Sequence, residues 1–101
     1  MNPESGIKSQ KENVWRLDLH VEEVVTDVVL FRGSEEVSRV RIEPNRELLE
    51  KLLPAVDALL AAQEIAPRDI ADIRVESDLP DGYSSRRIAE TVAGVWNRFS
   101  R

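Results

Sequence analysis

Residues 45–64 read NRELLEKLLPAVDALLAAQE, and this stretch organises the rest of the chain. Its apolar side chains repeat at the spacing of one helical face, which predicts a long amphipathic helix. Asn45 can cap the first turn by accepting a hydrogen bond from a free backbone N–H, and Glu47 adds negative charge where the helix dipole favours it. We therefore expect one helix to occupy most of this stretch.

The apolar face of this helix is wider than burial on a single sheet requires. One row consists of Leu48, Leu52, Val56 and Leu59, and a neighbouring row consists of Leu49, Leu53 and Leu60. A stripe of this width predicts two contacts, one with the domain's own sheet and one with another molecule. The alternative is that Pro54 shifts the helical register, so that both rows turn inward. Because proline cannot donate to the carbonyl of Glu50, we expect a kink, or two helical pieces that meet near Leu53.

Composition limits the classes of function that the chain can have. It has 101 residues, a formal net charge of −5, no cysteine and a single histidine, His20. This length predicts one domain, and the missing cysteines exclude disulfide and thiolate chemistry. One histidine argues against a zinc site, so we expect neither a metal nor a cofactor. The negative charge opposes binding to phosphate backbones, so direct nucleic-acid binding is not expected.

Residues 1–13 are polar and offer almost nothing to bury, which predicts a disordered leader before a single domain at residues 14–101. No apolar run approaches the length that would cross a bilayer, and the N-terminus lacks a signal-peptide core. We therefore expect no membrane contact and a cytoplasmic setting.

Three strands are predicted before the long helix. Apolar and polar residues alternate over residues 14–21, and residues 25–31 form an apolar run that can be covered on both faces. Gly33 supplies a reversal before a third strand at residues 36–42, since glycine adopts positive φ without steric cost. These segments predict an antiparallel meander.

A fourth strand is predicted at residues 70–76 and a second helix at residues 83–99. Because a helix separates the third and fourth strands, the fourth is expected to lie parallel to the first. The predicted class is α+β, with the order β-β-β-α-β-α and both helices packed on the sheet.

In this order the segments resemble the N-terminal lobe of the TsaB family, formerly YeaZ, in the actin-like ATPase and ribonuclease H-like superfamily. The resemblance rests on VVLFRGSEEV, LLEKLLPAVDALL, IADIRVES and LPDGYSSRRIAETVAGVW. The residues that match the family's last loop and helix motif are Pro80, Tyr83, Ser84, Arg87 and Ile88. The resemblance implies a ribonuclease H-like half-domain, because the second lobe of a typical family member has no counterpart here.

The family's first-strand aspartate falls at His20, and the glycines of its phosphate-binding motif are replaced by Asp81, Ser85 and Ala89. A phosphate loop needs close backbone approach, and a carboxylate at Asp81 would repel the anion. Nucleotide binding of the superfamily's kind is therefore expected to be lost.

TsaB serves as a noncatalytic partner of TsaD in forming threonylcarbamoyladenosine in tRNA, and it pairs through its N-lobe helices. The resemblance therefore implies that this chain is not an enzyme and that it pairs with itself, as a homodimer, or with a TsaD-like protein. The expected contact residues are Leu48, Leu49, Leu52, Leu53, Val56, Leu60, Ala89, Val92, Ala93 and Trp96.

A second hypothesis is enzymatic. The ribonuclease H-like fold can hold two divalent metals between acids on the first strand, the first helix and the segment after the fourth strand, for phosphodiester cleavage. Asp18, Glu50 and Asp78 are the nearest candidates. Solvated charges are the simpler interpretation of these residues.

Overall fold

A four-stranded sheet carries two helices on one face. The computed structural model describes residues 14–99, and the predicted leader lies outside them. The strands are β1 (Trp15–Val21), β2 (Thr26–Arg32), β3 (Glu35–Ile42) and β4 (Ile70–Ser77), and the helices are α1 (Leu48–Ala62) and α2 (Ser84–Phe99). The strand order is β3-β2-β1-β4, with β1 parallel to β4 and the other pairs antiparallel. This arrangement confirms the predicted α+β class, element order and parallel fourth strand.

The hydrophobic core lies between the sheet and the two helices. Alternate residues of β1 and β2 point to this side, where Leu17 pairs with Leu30 and Leu19 with Val28 across the strands. All four are completely buried. α1 packs over β2 and β3, and α2 packs over β1 and β4. The helices thus cover one sheet face, called here the helix face; the opposite face is called the open face.

Asn45 does not cap α1 as the sequence predicted. It lies in a single 3-10 turn, Asn45–Glu47, whose N-cap is Pro44 and which has no side-chain cap. Its side-chain oxygen instead accepts a hydrogen bond from Thr26 Oγ1 at 2.7 Å, and Nδ2 donates to the Glu22 carbonyl at 2.6 Å. Asn45 therefore fastens the start of the helical segment to the turn between β1 and β2, a contact that local sequence cannot reveal.

The prediction of two helical pieces meeting near Leu53 is wrong, because α1 runs without interruption through Pro54. Both Pro54 and Glu50 are exposed, so water can satisfy the Glu50 carbonyl that proline leaves without a donor. The helix ends in a Schellman motif: Glu64 has a φ of 55°, and the Ile65 N–H donates to the Leu60 carbonyl at 3.1 Å.

Asn97 on α2 binds the backbone of the edge strand β4. Its side-chain oxygen accepts from the Ile73 N–H at 2.9 Å, and its Nδ2 donates to the Ile73 carbonyl at 3.1 Å. The amide therefore occupies the place of a neighbouring strand at this residue. Unpaired edge strands invite pairing with other chains, so this contact both anchors α2 and protects the edge.

Candidate functional site

The two leucine rows of α1 have different environments. Leu48, Leu52, Val56 and Leu59 are all buried against the sheet, as predicted for the first row. In the second row, Leu49 is 70% exposed and Leu53 is 49% exposed. Pro54 therefore does not turn both rows inward.

Leu60 is the exception in the second row, because it is 2% exposed. Leu60 lies in the last turn of α1, and Ile65, just after the helix, packs against the same core. The exposed large apolar side chains of α1 are thus Leu49 and Leu53, one helical turn apart. These two side chains are called here the α1 apolar patch.

Most of the predicted contact residues belong to the protomer's own core and cannot form its surface. The buried ones are Leu48, Leu52, Val56, Leu60, Ala89 and Ala93. Val92 and Trp96 are partly buried against the same core. The small side chains of Ala89 and Ala93 let α2 lie close to its own sheet, whereas the sequence suggested that another helix would approach them.

α2 nevertheless presents apolar and small residues to solvent. Val95 is 49% exposed, and Gly94 beside it is exposed as well. A Cβ added at Gly94 would meet no atom within 4 Å. Since α2 also packs against α1, both helices offer exposed apolar surface on the same side of the sheet.

The three acids of the enzymatic hypothesis are not brought together. Asp18 points to the open face, because its neighbours Leu17 and Leu19 fill the helix face. Glu50 is exposed on α1, on the other side of the sheet. Within residues 14–99, the group of potential ligands that does assemble contains Asp18, His20 and Glu76 instead. The predicted two-metal arrangement is therefore wrong.

The carboxyl ends of β1 and β4 border a pocket of about 370 Å³. Its lining is strongly acidic and includes His20 together with Glu22, Glu23, Glu76 and Asp78. Ligands of α/β sheets commonly bind outside the carboxyl ends of parallel strands. Four carboxylates around one imidazole favour a cation there and disfavour a phosphate-bearing ligand.

Ion pairs cover the open face of the sheet. Asp27 on β2 is 7% exposed, and it accepts hydrogen bonds from Arg41 Nε at 2.9 Å and from Arg39 Nη1 at 3.0 Å. The hydrogen bond from Arg41, aided by the charges of both arginines, holds the pKa of Asp27 below its ordinary value although burial opposes this. On β1, Arg16 donates to Asp18 at 2.9 Å and lies over the Phe31 ring.

Sequence reasoning missed Glu76 as a neighbour of His20, and Arg16 as the partner of Asp18. Asp18 and His20 stand two apart on one strand, a spacing that places both on one face. That signal was available. Glu76, however, is 56 residues beyond His20 and meets it only through the register of the parallel pair. Strand periodicity does not determine register between distant strands.

No helix within residues 14–99 is long and apolar enough to span a membrane. No protein-family model and no curated protein sequence matches this chain.

Two solved structures have a similar fold. They are YeaZ from Pseudomonas aeruginosa and an uncharacterized protein with similarity to peptidase YeaZ from the same organism. Each superposes with a TM-score of 0.72 at 21% sequence identity, covering 85% of this chain. The chain spans 39% of the length of each, so the likeness concerns a part of those proteins. The fold of residues 14–99 is therefore that of one lobe of YeaZ, as the resemblance predicted.

Proposed function

We propose that this chain is a noncatalytic protein-interaction module that acts as TsaB does, pairing through α1 and α2 with a second copy or with a TsaD-like protein. The observation that carries the proposal is the α1 apolar patch, formed by Leu49 at 70% exposure and Leu53 at 49%. The opposite side of α1 fills the core, so much of the surface of these two leucines is left uncovered by the protomer itself. Exposed apolar surface rimmed by polar residues is typical of protein contacts.

Charge supports a contact with protein. The patch is flanked on α1 by Glu50 and Lys51, and Lys51 forms an ion pair with Glu47 at 2.5 Å. Residues of opposite sign around an apolar centre are the usual composition of an interface rim. The net charge of −5 also makes protein a better partner than nucleic acid.

Fold likeness supports the TsaB comparison, because YeaZ superposes on 85% of this chain with a TM-score of 0.72. From this we propose a cytoplasmic role in tRNA threonylcarbamoyladenosine modification, in which the chain assists a catalytic partner. A homodimer through the two helices would give each copy's patch an identical, self-complementary neighbour.

Self-association is tested by sedimentation equilibrium over a concentration series. The unaltered chain is expected to dimerise, and the double variant Leu49→Glu/Leu53→Glu is expected to remain monomeric with an unchanged circular dichroism spectrum. Exposed substitutions of this kind usually change stability by no more than about 0.5 kcal/mol. Gly94→Arg should also weaken pairing. A Cβ at Gly94 would meet no atom of its own protomer within 4 Å, so the arginine can be accommodated there and would project toward a paired helix.

Val24→Glu is the matched control, because Val24 is 58% exposed but lies in the turn between β1 and β2. It introduces one of the two added carboxylates of the double variant at a similar exposure, away from the helices, and should leave association unchanged. A dimer that tolerates the double variant as well as Val24→Glu would contradict pairing through α1.

The heterologous form of the proposal is tested by titrating a TsaD protein from the same organism into the chain by calorimetry. Binding should be lost in the double variant and kept in Val24→Glu. Deletion of the gene should then lower threonylcarbamoyladenosine in tRNA, measured by mass spectrometry. A chain that is monomeric and binds no TsaD would refute the interaction proposal.

A further inference from the structure

Three potential metal ligands meet where β1 and β4 run side by side. Asp18 and His20 project from the same face of β1, and Glu76 is the residue of β4 in register with His20. His20 Nε2 lies 3.8 Å from Asp18 Oδ2 and 3.6 Å from Glu76 Oε2. The three ligand atoms all lie within 4.8 Å of one another. The parallel register thus creates a compact donor set of one imidazole and two carboxylates.

The imidazole nitrogen at the centre of this set has no hydrogen-bond partner although it is withdrawn from solvent. Its distances to both carboxylates exceed the range of about 2.7–3.2 Å for a hydrogen bond from nitrogen to oxygen. Buried polar atoms are normally satisfied, and an exception requires an explanation such as an ion. A cation between the three side chains would accept the nitrogen lone pair and neutralise the carboxylates together.

The separations suit a small ion. Metal–ligand bonds of about 2.0–2.2 Å in tetrahedral geometry place neighbouring ligand atoms about 3.3–3.6 Å apart. The observed separations from His20 Nε2, 3.6 and 3.8 Å, are only slightly larger. The three ligand atoms lie within 4.8 Å of one another, so closure around an ion needs side-chain movements of about 1 Å, which the 64% exposed Glu76 side chain has room to make.

Arg16 prepares the buried carboxylate for this role. Its Nε donates to Asp18 Oδ1 at 2.9 Å, and the other oxygen, Oδ2, is the one nearest His20. The Asp18 side chain is 5% exposed, so it is held by this contact in one orientation. Partners that orient a ligand in this way strengthen metal binding.

We propose that Asp18, His20 and Glu76 bind one divalent transition-metal ion, with Zn²⁺ as the best match. Imidazole favours zinc over Mg²⁺ and Ca²⁺, which prefer oxygen ligands alone. Three protein ligands leave a position open toward the acidic pocket that His20 and Glu76 also line. The site is separate from the α1 apolar patch, so either can fail without the other.

The test uses the unaltered chain without an affinity tag, so that His20 is its single histidine. Zinc chloride is titrated by calorimetry, and the imidazole nitrogens are followed by long-range proton–nitrogen NMR. One ion per chain should bind, with a coordination shift on Nε2 and with magnesium failing to compete. Because His20 is the single histidine, a coordination shift of an imidazole nitrogen can come from this residue alone.

His20→Gln should abolish zinc binding, and Glu76→Gln should weaken it by at least about tenfold. Asp78→Asn is the matched control: it removes a carboxylate that lines the same pocket but lies outside the donor set, so it should bind zinc as the unaltered chain does. Circular dichroism verifies that each variant is folded.

Zinc binding of equal affinity in His20→Gln would overturn the proposal, as would the absence of binding by the unaltered chain. Addition of zinc to the unaltered chain without a change in the chemical shift of His20 Nε2 would also overturn the proposal. This last measurement needs no variant and therefore decides the question even if the substitutions disturb folding.

Discussion

The two faces of the sheet exclude water by different means. On the helix face, Leu17 and Leu30 are completely buried beneath the helices. On the open face, Val29 is also completely buried and Asp27 is 7% exposed, yet their cover is a layer of ion-paired side chains such as Arg39. An apolar layer stabilises at any pH, whereas an ionic layer requires its carboxylates to be charged.

The largest effect is expected on the helix face. Leu52→Ala removes a side chain that is 1% exposed in the core, and such truncations cost about 2–5 kcal/mol in free energy of unfolding. Leu53→Ala, one position along the same helix, removes one that is 49% exposed and should cost less than about 0.5 kcal/mol. Urea unfolding of both variants measures the difference. Equal losses would contradict the orientation of α1.

A smaller effect is expected on the open face. Asp27→Asn replaces the carboxylate that Arg41 and Arg39 share, and it should lower the free energy of unfolding at neutral pH by about 1–3 kcal/mol. The arginines are 55% and 43% exposed, so water can solvate them after the change. The expected loss in free energy of unfolding is therefore smaller than the loss caused by removing one partner of a fully buried ion pair.

The same variant gives a test of pH dependence with a defined sign. The pKa of Asp27 is lowered in the folded state, so its stabilising contribution is present above its ordinary value of 3.8 and is lost as pH falls through the lower folded value. The gap in stability between the unaltered chain and Asp27→Asn should therefore be constant near neutral pH and should close as the pH falls below 3.8. A gap that is constant with pH would show that the ionic contacts contribute nothing.

The smallest effect is expected from an exposed pair. Arg74 Nε lies 3.3 Å from Asp72 Oδ2 on β4, with side-chain exposures of 61% and 36%. Arg74→Ala should change the free energy of unfolding by less than about 0.5 kcal/mol, because such pairs are solvated and screened by salt. Urea unfolding under the same conditions as for Asp27→Asn measures the change in free energy of unfolding. A comparable loss would mean that the open face depends on all its charges equally.

Strand and helix positions were predictable because each depends on local periodicity. The alternation at β1, the apolar run of β2 and the helical spacing of α1 and α2 identified the bounds of these elements to within three residues. Pro54 misled the prediction, since proline lowers helix stability locally but packing of the buried leucines holds the helix together. Asn45 misled it for a related reason: its buried contact with Thr26 replaces the local cap.

The candidate sites were predictable only in part. A surplus of leucine correctly suggested apolar surface beyond the core, but it could not say that Leu49 and Leu53 remain outside while Leu60 turns inside. The burial of Asp18 could not be predicted either, because the alternation of apolar and polar residues in β1 predicts that Asp18 faces solvent. Its environment depends on Arg16 and on strands that pair from elsewhere in the chain.

By itself, the sequence determined the order of strands and helices, the parallel placement of β4 and the amphipathic character of α1. The tertiary structure alone decided which leucines stay exposed, that ion pairs cover the open face, and that Glu76 meets His20. The physical reason is range: periodicity records the side of an element that is buried, whereas exposure, ion pairing and ligand geometry depend on register between segments far apart in the chain.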